Sequence, residues 1–265
     1  MKILLTLLAL SPLASAQEAV QRPLLFPPLA GASSAPRITG KSSSDFERLV
    51  RRLQAKSAVA RVEAINALGA KDNLRAIPYL GASLLRIDAP IETRVAAALA
   101  LGRVGGWRTV GFLKQSIKDS SKEVRFAAAL ALGKTGSPDA LAPLIDALEL
   151  DSQWWVRLAA AVSLGESRDP KAVAALGRAA AGEPEWQVRM QAIRSLGRAG
   201  SRDAALNLAR PLKDSDSGVR AAAALALSEI GGSDSLELVR SALQDEKETF
   251  VRQALAVALQ KLSAR

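Results

Sequence analysis

The sequence predicts an all-α protein, a right-handed α-solenoid of about seven two-helix repeats. A phrase spelled most fully as VRFAAALALG, from Val124 to Gly133, returns in variant form along the chain. The arginine of this phrase recurs every 31 to 33 residues, and a fixed period of that length is typical of solenoids built from one supersecondary unit per repeat. Seven arginines mark the repeats: Arg61, Arg94, Arg125, Arg157, Arg189, Arg220 and Arg252.

Composition limits the chemistry of the chain. Hydrophobic residues make up 49% of it and aromatic residues only 4%, so the core must be built largely from alanine, leucine and valine. The chain has no histidine and no cysteine, which excludes disulfides, zinc sites with imidazole or thiolate ligands and hydrolases with an imidazole base. Carboxylate chemistry and a Ser-Lys pair remain, but no spacing singles out either. We therefore expect no enzymatic activity, no metal and no cofactor.

The formal net charge is +10. A basic surface can attract nucleic acid, anionic lipid or acidic proteins, but surplus lysine and arginine is more commonly a solvated surface. We expect the solvated surface here, and we do not expect nucleic acid to be the partner.

Residues 1–16 have the features of a secretory signal peptide. Lys2 precedes the largely apolar run 3–10, and Pro12 interrupts this run before Ala14 to Ala16, where cleavage would leave Gln17 as the first residue. The run is well short of the roughly 20 residues that a membrane-spanning helix needs, so the mature chain is predicted to have no transmembrane segment. The prediction is an exported protein, periplasmic or extracellular.

Residues 17–44 are predicted to form a flexible arm, because proline and serine are frequent in this stretch. The arm also contains an apolar cluster, Leu24, Leu25, Phe26 and Leu29, that an ordinary linker does not need. We expect this cluster to dock on the repeats or on a partner.

Residues 45–265 are predicted to form the repeat domain, each repeat consisting of a helix A, a turn and a helix B. In repeat four, helix A is predicted at 138–150 and helix B at 153–165. Glycine pairs such as Gly133 and Gly136 are interpreted as the ends of B helices, where left-handed residues are common. The predicted N-caps of the A helices are Ser137, Asp169, Ser201 and Ser233.

The first helix, from Asp45, is apolar on one face and basic on the other. We interpret the basic face as the solvated end of the array, because no repeat precedes it. The alternative is a helix that lies on a membrane surface.

The run Val-Arg-x-x-Ala-Ala-x-x-Leu-Gly resembles the HEAT-like repeats of the phycobiliprotein-lyase type, and the likeness covers residues 45–265. The resemblance implies an armadillo-like helical superhelix in a family that serves mainly as a binding scaffold. Bilin lyases share these repeats, but likeness of repeats does not transfer activity. The related deoxyhypusine hydroxylases use His and Glu metal ligands, which a chain without histidine cannot supply.

An acidic residue lies six positions before the repeated arginine in six of the seven repeats. We predict that the acid ends helix A and the arginine begins helix B, so that each pair bridges a turn and the pairs stack into a structural ladder. The alternative is a row of arginines that grip phosphates. Repeat one has Ala55 in place of the acid, so Arg61 is expected to be freer. The predicted pairs are Asp88 with Arg94, Asp119 with Arg125, Asp151 with Arg157, Glu183 with Arg189, Asp214 with Arg220 and Glu246 with Arg252.

A helical wheel separates two faces of helix B. Positions −1, +3, +4 and +7 from the repeated arginine form one arc and are the predicted core, while positions +1 and +5 lie on the opposite side and are nevertheless largely apolar. In the family that the chain resembles, this second side lines the concave surface. The resemblance therefore implies an apolar stripe facing outwards, with a basic rim at Arg103, Lys134 and Arg198. The alternative is a second core layer between adjacent B helices.

The candidate partner-binding residues follow from the stripe and from tryptophans at the turns. Turn aromatics are frequent binding anchors, although they also cover helix ends. Two of the tryptophans lie three positions before the repeated arginine, and Trp155 lies alongside the first of them. The candidates are Phe126, Leu130, Leu158, Val162, Met190, Arg194, Trp154 and Trp186.

The sequence thus predicts a non-enzymatic exported scaffold that binds a protein or peptide partner through the concave face of its B helices. A binder of anionic polymers or nucleic acid is the alternative, and an enzyme of the lyase-related family is the third class. The apolar stripe and the signal peptide favour the first hypothesis. The identity of the partner and the oligomeric state are not predicted.

Overall fold

The computed structural model describes residues 43–70 and 73–264. The predicted signal peptide and all but the last two residues of the predicted arm, including its apolar cluster, lie outside the described residues. Within the described residues the secondary structure is helical, with four short 3-10 turns and no strand.

Helices of the A and B type alternate along the chain. The A helices are α1 (Ser43–Arg52), α3 (Ile77–Leu85), α5 (Val110–Ser116), α7 (Leu141–Leu150), α9 (Pro170–Gly182), α11 (Arg202–Leu206) and α13 (Gly232–Asp245). The B helices are α2 (Ala58–Leu68), α4 (Ile91–Val104), α6 (Lys122–Lys134), α8 (Trp154–Leu164), α10 (Trp186–Ala199), α12 (Ser217–Ile230) and α14 (Thr249–Ser263). The two helices predicted for repeat four match α7, with its preceding 3-10 turn, and α8 to within about one residue.

The described residues divide into two compact units, one ending at Ser163 and the other beginning at Leu164. In the first unit, α2, α4 and α6 pack side by side in chain order, and α3 packs against α5. In the second unit, α10, α12 and α14 pack in the same way, and α11 lies between α9 and α13. Each unit is therefore a stack of helical hairpins, and the predicted all-α solenoid class is confirmed.

The core consists mainly of small aliphatic side chains on the B helices. The four positions predicted for repeat three, Val124, Ala128, Ala129 and Leu132, are all fully buried. Helices α4, α6 and α12 are buried on most of their circumference, because each contacts its own A helix and B helices of neighbouring repeats. A helix that is apolar all round is typical of such an interior position.

The first glycine of each predicted helix-end pair has a different role from the one expected. Gly133 lies inside α6, and a Cβ atom added to it would lie 2.6 Å from Cβ of Ser163 on α8. The missing side chain therefore lets two B helices approach closely, and Ser163 Oγ donates a 2.9 Å hydrogen bond to Ala129 O across the contact. The second glycine of the pair, Gly136, has φ 64° and follows the helix as expected.

Three of the four predicted N-caps are confirmed. Ser137, Asp169 and Ser201 each accept a backbone N–H from the helical turn that follows. The prediction for Ser233 is wrong, because α13 begins at Gly232 and Ser233 lies within its first turn. Gly231 and Gly232 have φ values of 79° and 84°, and the helix starts two residues earlier than it would with Ser233 as its N-cap.

Candidate functional site

The repeated arginines form carboxylate pairs between successive repeats. Nε and Nη2 of Arg125 donate to Oδ2 and Oδ1 of Asp151 at 2.7 and 3.0 Å. The same two atoms of Arg189 and Arg220 hold the carboxylates of Asp214 and Glu246. Nη2 of Arg94 donates to Asp119 in the same relation. Each of these four arginines therefore grips the acid of the next repeat.

This pairing corrects the predicted ladder, in which each carboxylate paired with the arginine of its own repeat. Within a repeat, Arg125, Arg189 and Arg220 instead donate through Nη1 to the backbone carbonyl of the acid, as Arg125 does to Asp119 O at 3.0 Å. Arg94 differs, because its Nε donates to Leu84 O. The planar guanidinium has donors on two edges, so one edge ties the A-to-B turn and the other reaches the next repeat. The ladder exists, but its side-chain links join repeats.

A backbone N–H holds each ladder carboxylate after Asp88 in place. Ser121 N donates to Asp119 Oδ1 at 2.8 Å, and Gln153 N donates to Asp151 Oδ1 at 2.9 Å. The residues two positions after Glu183, Asp214 and Glu246 donate in the same way. This backbone N–H thus orients the carboxylate toward the arginine of the previous repeat.

The ladder charges are well shielded from water and compensate one another. The side chains of Arg125 and Asp151 are 15% and 7% exposed. The hydrogen bond that Arg125 donates to Asp151 raises the pKa of Arg125, and the hydrogen bond that Glu246 accepts from Arg220 lowers the pKa of Glu246. The alternative of a phosphate-binding row fails at these four arginines, because carboxylates already occupy their guanidinium groups.

Position +1 of the predicted stripe is buried. Phe126, Leu158 and Met190 are each 1% or 2% exposed, so these three residues are not on an open surface and their assignment to partner binding is wrong. Phe126 packs against Trp155 of the next repeat, with ring centroids 5.2 Å apart and planes inclined by 52°. Because small residues and glycines allow the B helices to approach closely, position +1 falls between neighbours and forms the second core layer.

Position +5 is accessible. Leu99, Leu130 and Val162 are half-buried on α4, α6 and α8 of the first unit. In the second unit Arg194 and Leu225 are half-buried, and Val257 is exposed. These positions form the +5 row, which consists of Leu99, Leu130, Val162, Arg194, Leu225 and Val257.

Arg194 is the one charged residue of the +5 row. Burial lowers the pKa of its guanidinium below the ordinary arginine value. Among the described residues, no hydrogen bond or ion pair compensates that loss of solvation. Of the predicted rim, Arg103, Lys134 and Arg198 are exposed, and Arg103 donates to Asn66 Oδ1 and Gly69 O.

The two turn tryptophans begin B helices. Trp154 and Trp186 are the first residues of α8 and α10, and both are half-buried. Neither has the exposure of Trp107, which is 72% exposed at a 3-10 turn. Trp155, which the sequence analysis placed only alongside Trp154, makes the contact with Phe126.

Sequence reasoning missed a cavity of about 650 Å³ beside Arg61 in the first unit. Its lining includes Arg61, Thr93, Arg86 and Asp88, together with apolar atoms of α1 and α3. The predicted freedom of Arg61 was assigned to the wrong cause. Arg61 donates a hydrogen bond to the backbone oxygen of Ala55, as Arg125 does to the backbone oxygen of Asp119. The difference is that Arg61 makes no hydrogen bond to the carboxylate of the next repeat within the described residues.

The comparisons with known proteins identify the repeats. The profile of the HEAT repeats matches residues 82–165, 111–191 and 173–260, which together span more than half of the chain. This match confirms the resemblance inferred from the repeated phrase. No curated protein matches the chain.

Solved structures share the fold. The complex of CpcE and CpcF of phycocyanin lyase from Nostoc sp. is 20% identical, with a TM-score of 0.50 and coverage of 90% of this chain and 98% of that chain. An engineered protein is 18% identical, with a TM-score of 0.53 and coverage of 97% and 77%. YibA of E. coli is 16% identical, with a TM-score of 0.51 and coverage of 83% and 92%. At these identities the likeness is one of fold.

Proposed function

The chain belongs to the HEAT-repeat family, and we propose that it is a non-enzymatic exported scaffold that binds a protein or peptide partner along +5 positions of B helices within one unit, namely Leu99, Leu130 and Val162 of the first unit. A solenoid presents one position of every repeat at a regular spacing, which suits an extended partner. The observation that carries the proposal is the accessibility of large apolar side chains at the same position of successive B helices.

The apolar part of the row supports a docking role. Leu99, Leu130 and Val162 occupy equivalent positions on three B helices of the first unit, and each keeps part of its side chain in solvent. Surface leucines scattered singly need no explanation, but a repeated apolar position on consecutive elements is typical of an interaction surface. Exposed Arg103 and Lys134 lie one helical turn further along α4 and α6, so an acidic flank on the partner would find cations there.

Arg194 supports the same role in the second unit. A half-buried guanidinium without a partner has lost solvation and gained no compensating bond. An acidic or carbonyl group of a bound partner would supply that bond. Arginine is also one of the residues that most commonly dominate binding energy at interfaces.

The chemistry of the chain favours binding over catalysis. No histidine or cysteine occurs in the sequence, so imidazole general bases and thiol nucleophiles are absent. Export rests on the pattern of residues 1–16. Among the described helices, none is both long enough and apolar enough to span a bilayer.

The experiment compares two substitutions of the same kind at different places. Leu130→Gln combined with Val162→Gln removes apolar surface from the row, while Leu150→Gln removes an exposed leucine from the end of helix α7. Each variant is immobilised beside the wild type and exposed to an extracytoplasmic extract. We expect proteins retained by the wild type and by Leu150→Gln to be lost with the double variant, with unchanged circular dichroism. Equal retention by all three proteins contradicts the proposal.

A salt titration tests the competing anionic-polymer function. Binding to phosphates weakens steeply as salt releases counterions, whereas apolar docking does not. We expect capture through the +5 row to persist as the salt concentration is raised from about 50 to 500 mM, because that range screens exposed charges and leaves apolar contacts intact.

A further inference from the structure

Arg61 is the first arginine of the ladder, and only one edge of its guanidinium is used. Nη1 donates to Ala55 O at 2.6 Å and to Lys56 O at 2.9 Å, as the equivalent atom does at Arg125, Arg189 and Arg220. Nε and Nη2, which grip a carboxylate at Arg125, Arg189 and Arg220, make no hydrogen bond within the described residues. The position of the missing carboxylate is therefore defined by the rest of the ladder.

Asp88 is the acid that the ladder period assigns to Arg61, but it is diverted. Its carboxylate accepts hydrogen bonds from Nε of Arg86 at 3.3 and 3.4 Å, and its side chain is 71% exposed. The hydrogen bond from Arg86 holds the pKa of Asp88 below its ordinary value. Asp88 is thus a charged partner of Arg86.

The cause of the diversion is the residue two positions later. In the other repeats that residue donates its backbone N–H to the ladder carboxylate, as Ser121 does to Asp119. The equivalent residue after Asp88 is Pro90, which has no N–H. Without this bond the carboxylate is not aimed at the preceding arginine, and Arg86 takes it.

The displaced carboxylate leaves space. The cavity beside Arg61 measures about 650 Å³, whereas the equivalent spaces beside the Arg125 and Arg220 pairs measure about 210 and 380 Å³. A volume of this size lies in the ordinary range of small-ligand and side-chain pockets. Within residues 43–70 and 73–264, the fork of Arg61 is therefore unpaired, and the space beside it is open.

A buried hydroxyl in the same cavity also lacks a partner among the described residues. Thr93 lines the cavity and is 3% exposed, and its hydroxyl oxygen makes no hydrogen bond to the described part of the chain. A buried hydroxyl without a partner is costly, and such groups are uncommon in folded proteins. Neither Thr93 nor Arg61 has its hydrogen-bonding capacity filled by the described residues, and both line the same cavity.

The remaining lining indicates the chemistry of an occupant. Arg51, Lys56 and Arg86 add positive charge, while Asp88 is the lining acid and is already paired. Apolar surface comes from α1 and the residue after it, from α3 and from the turn before α4: Val50, Leu53, Tyr79, Ala82, Ala89 and Pro90. This lining suits an anion attached to an apolar group.

We propose that this cavity is a binding site for a peptide carboxylate, held by Nε and Nη2 of Arg61 in the way that Arg125 holds Asp151. The carboxylate belongs to an acidic side chain or to a free C-terminus, flanked by an apolar residue that contacts the lining. The site lies at an A-to-B turn and not on the +5 row, so it goes beyond the proposed function.

The test uses three short probes and the full-length mature chain. Acetyl-Leu-Asp-amide carries a side-chain carboxylate, acetyl-Asn-Leu carries a free C-terminal carboxylate, and acetyl-Leu-Asn-amide is neutral. Binding is followed by NMR through the Thr93 amide and the Arg61 Nε–H. We expect one or both carboxylate probes to shift these signals, and the better probe to identify the source of the carboxylate. Equal binding of the neutral probe overturns the proposal.

Two variants isolate Arg61 from general positive charge. Arg61→Gln removes the guanidinium whose Nε and Nη2 would hold the carboxylate. Arg51→Gln removes one exposed positive charge from the lining of the cavity. We expect Arg61→Gln to weaken binding of the carboxylate probe at least about tenfold and Arg51→Gln at most about twofold, because a bidentate charge-assisted contact is stronger than distant charge. Equal losses in the two variants, or no loss in Arg61→Gln, overturn the proposal.

A third variant tests the site with Arg61 intact, in case Arg61→Gln disturbs the turn. Arg86→Gln combined with Pro90→Ser removes the competing arginine and restores the backbone N–H, with Ser121 of the next repeat as the template. Asp88 is then expected to pair with Arg61 and occupy the site from within. Binding of the carboxylate probe should fall at least about fivefold relative to Arg51→Gln, which has lost the same charge. Retained affinity in this variant contradicts the proposal, and unchanged probe binding in the Leu130→Gln, Val162→Gln variant separates this site from the +5 row.

Discussion

Arg125 joins its own repeat to the next by holding the carboxylate of Asp151, with Nε to Oδ2 at 2.7 Å, while Nη1 holds the backbone of Asp119. One side chain thus ties a turn and links two repeats. The relation recurs at Arg189 and Arg220 in the second unit. Within each unit, these hydrogen bonds therefore recur with the same period as the repeated arginine in the sequence.

Asp151→Ala should lower the free energy of unfolding by roughly 1 to 3 kcal/mol, because it leaves the Arg125 fork and the Gln153 N–H without their acceptor. A double-mutant cycle measured by urea denaturation locates the partner. We expect coupling of about 1 kcal/mol or more between Asp151→Ala and Arg125→Ala, and much weaker coupling with Arg157→Ala, whose bond is to the backbone oxygen of residue 151. Stronger coupling to Arg157 would restore the pairing within one repeat.

Acid should weaken the ladder at Glu246. The pKa of this carboxyl is lowered in the folded chain, chiefly by the hydrogen bond from Arg220. A depressed pKa stabilises the fold above the unfolded value of about 4.5, and the contribution is lost as pH falls through the folded value. We expect the difference in melting temperature between the wild type and Glu246→Gln to be largest near neutral pH and to shrink below about pH 4.5. A difference that is constant with pH contradicts this assignment.

Phe126→Ala should cost about 3 to 5 kcal/mol, because it removes a fully buried ring from its contact with Trp155. Leu130→Ala, four residues along the same helix, should cost about 1 to 2 kcal/mol because its side chain is only half-buried. Urea denaturation followed by circular dichroism measures both. Similar losses at the two positions would mean that the +5 row is core, and the proposed docking surface would then be wrong.

Gly133→Ala should destabilise by about 1 to 3 kcal/mol, because the added Cβ would lie within 2.6 Å of Ser163 and 3.0 Å of its Cα atom. Gly111→Ala is the matched control in helix α5, where nothing lies within 4 Å of the added atom. There we expect a gain of up to about 1 kcal/mol from helix propensity. Opposite signs in thermal denaturation support close approach of α6 and α8, and a stabilised Gly133→Ala contradicts it.

Export is expected from the pattern of residues 1–16. Intact-mass analysis of the protein purified from its native source should show Gln17, or its cyclised form, as the first residue. A soluble mature protein that still begins with Met1 would contradict the prediction.

The sequence by itself determined the repeat architecture, because the helical period, the arginine spacing and the buried arc of repeat three depend only on local geometry. It also identified the acids and arginines of the ladder. It did not assign their partners, because a guanidinium can reach the acid six residues before it or the acid about 25 residues after it. The distance between helices of successive repeats determines which of the two acids it contacts. The sequence does contain one sign that Asp88 does not pair with Arg61, because Pro90 lacks the backbone N–H that holds every other ladder carboxylate.

Only the tertiary structure decided which side of the B helices is surface. A helical wheel treats positions +1 and +5 alike, but Phe126 is buried and Leu130 is half-exposed. The difference arises because glycine and small residues bring neighbouring B helices close together, as Gly133 does with Ser163. The neighbouring helix then covers position +1 more completely than position +5. The spacing between two helices is set by the side chains of both, so a pattern read along one helix leaves it undetermined.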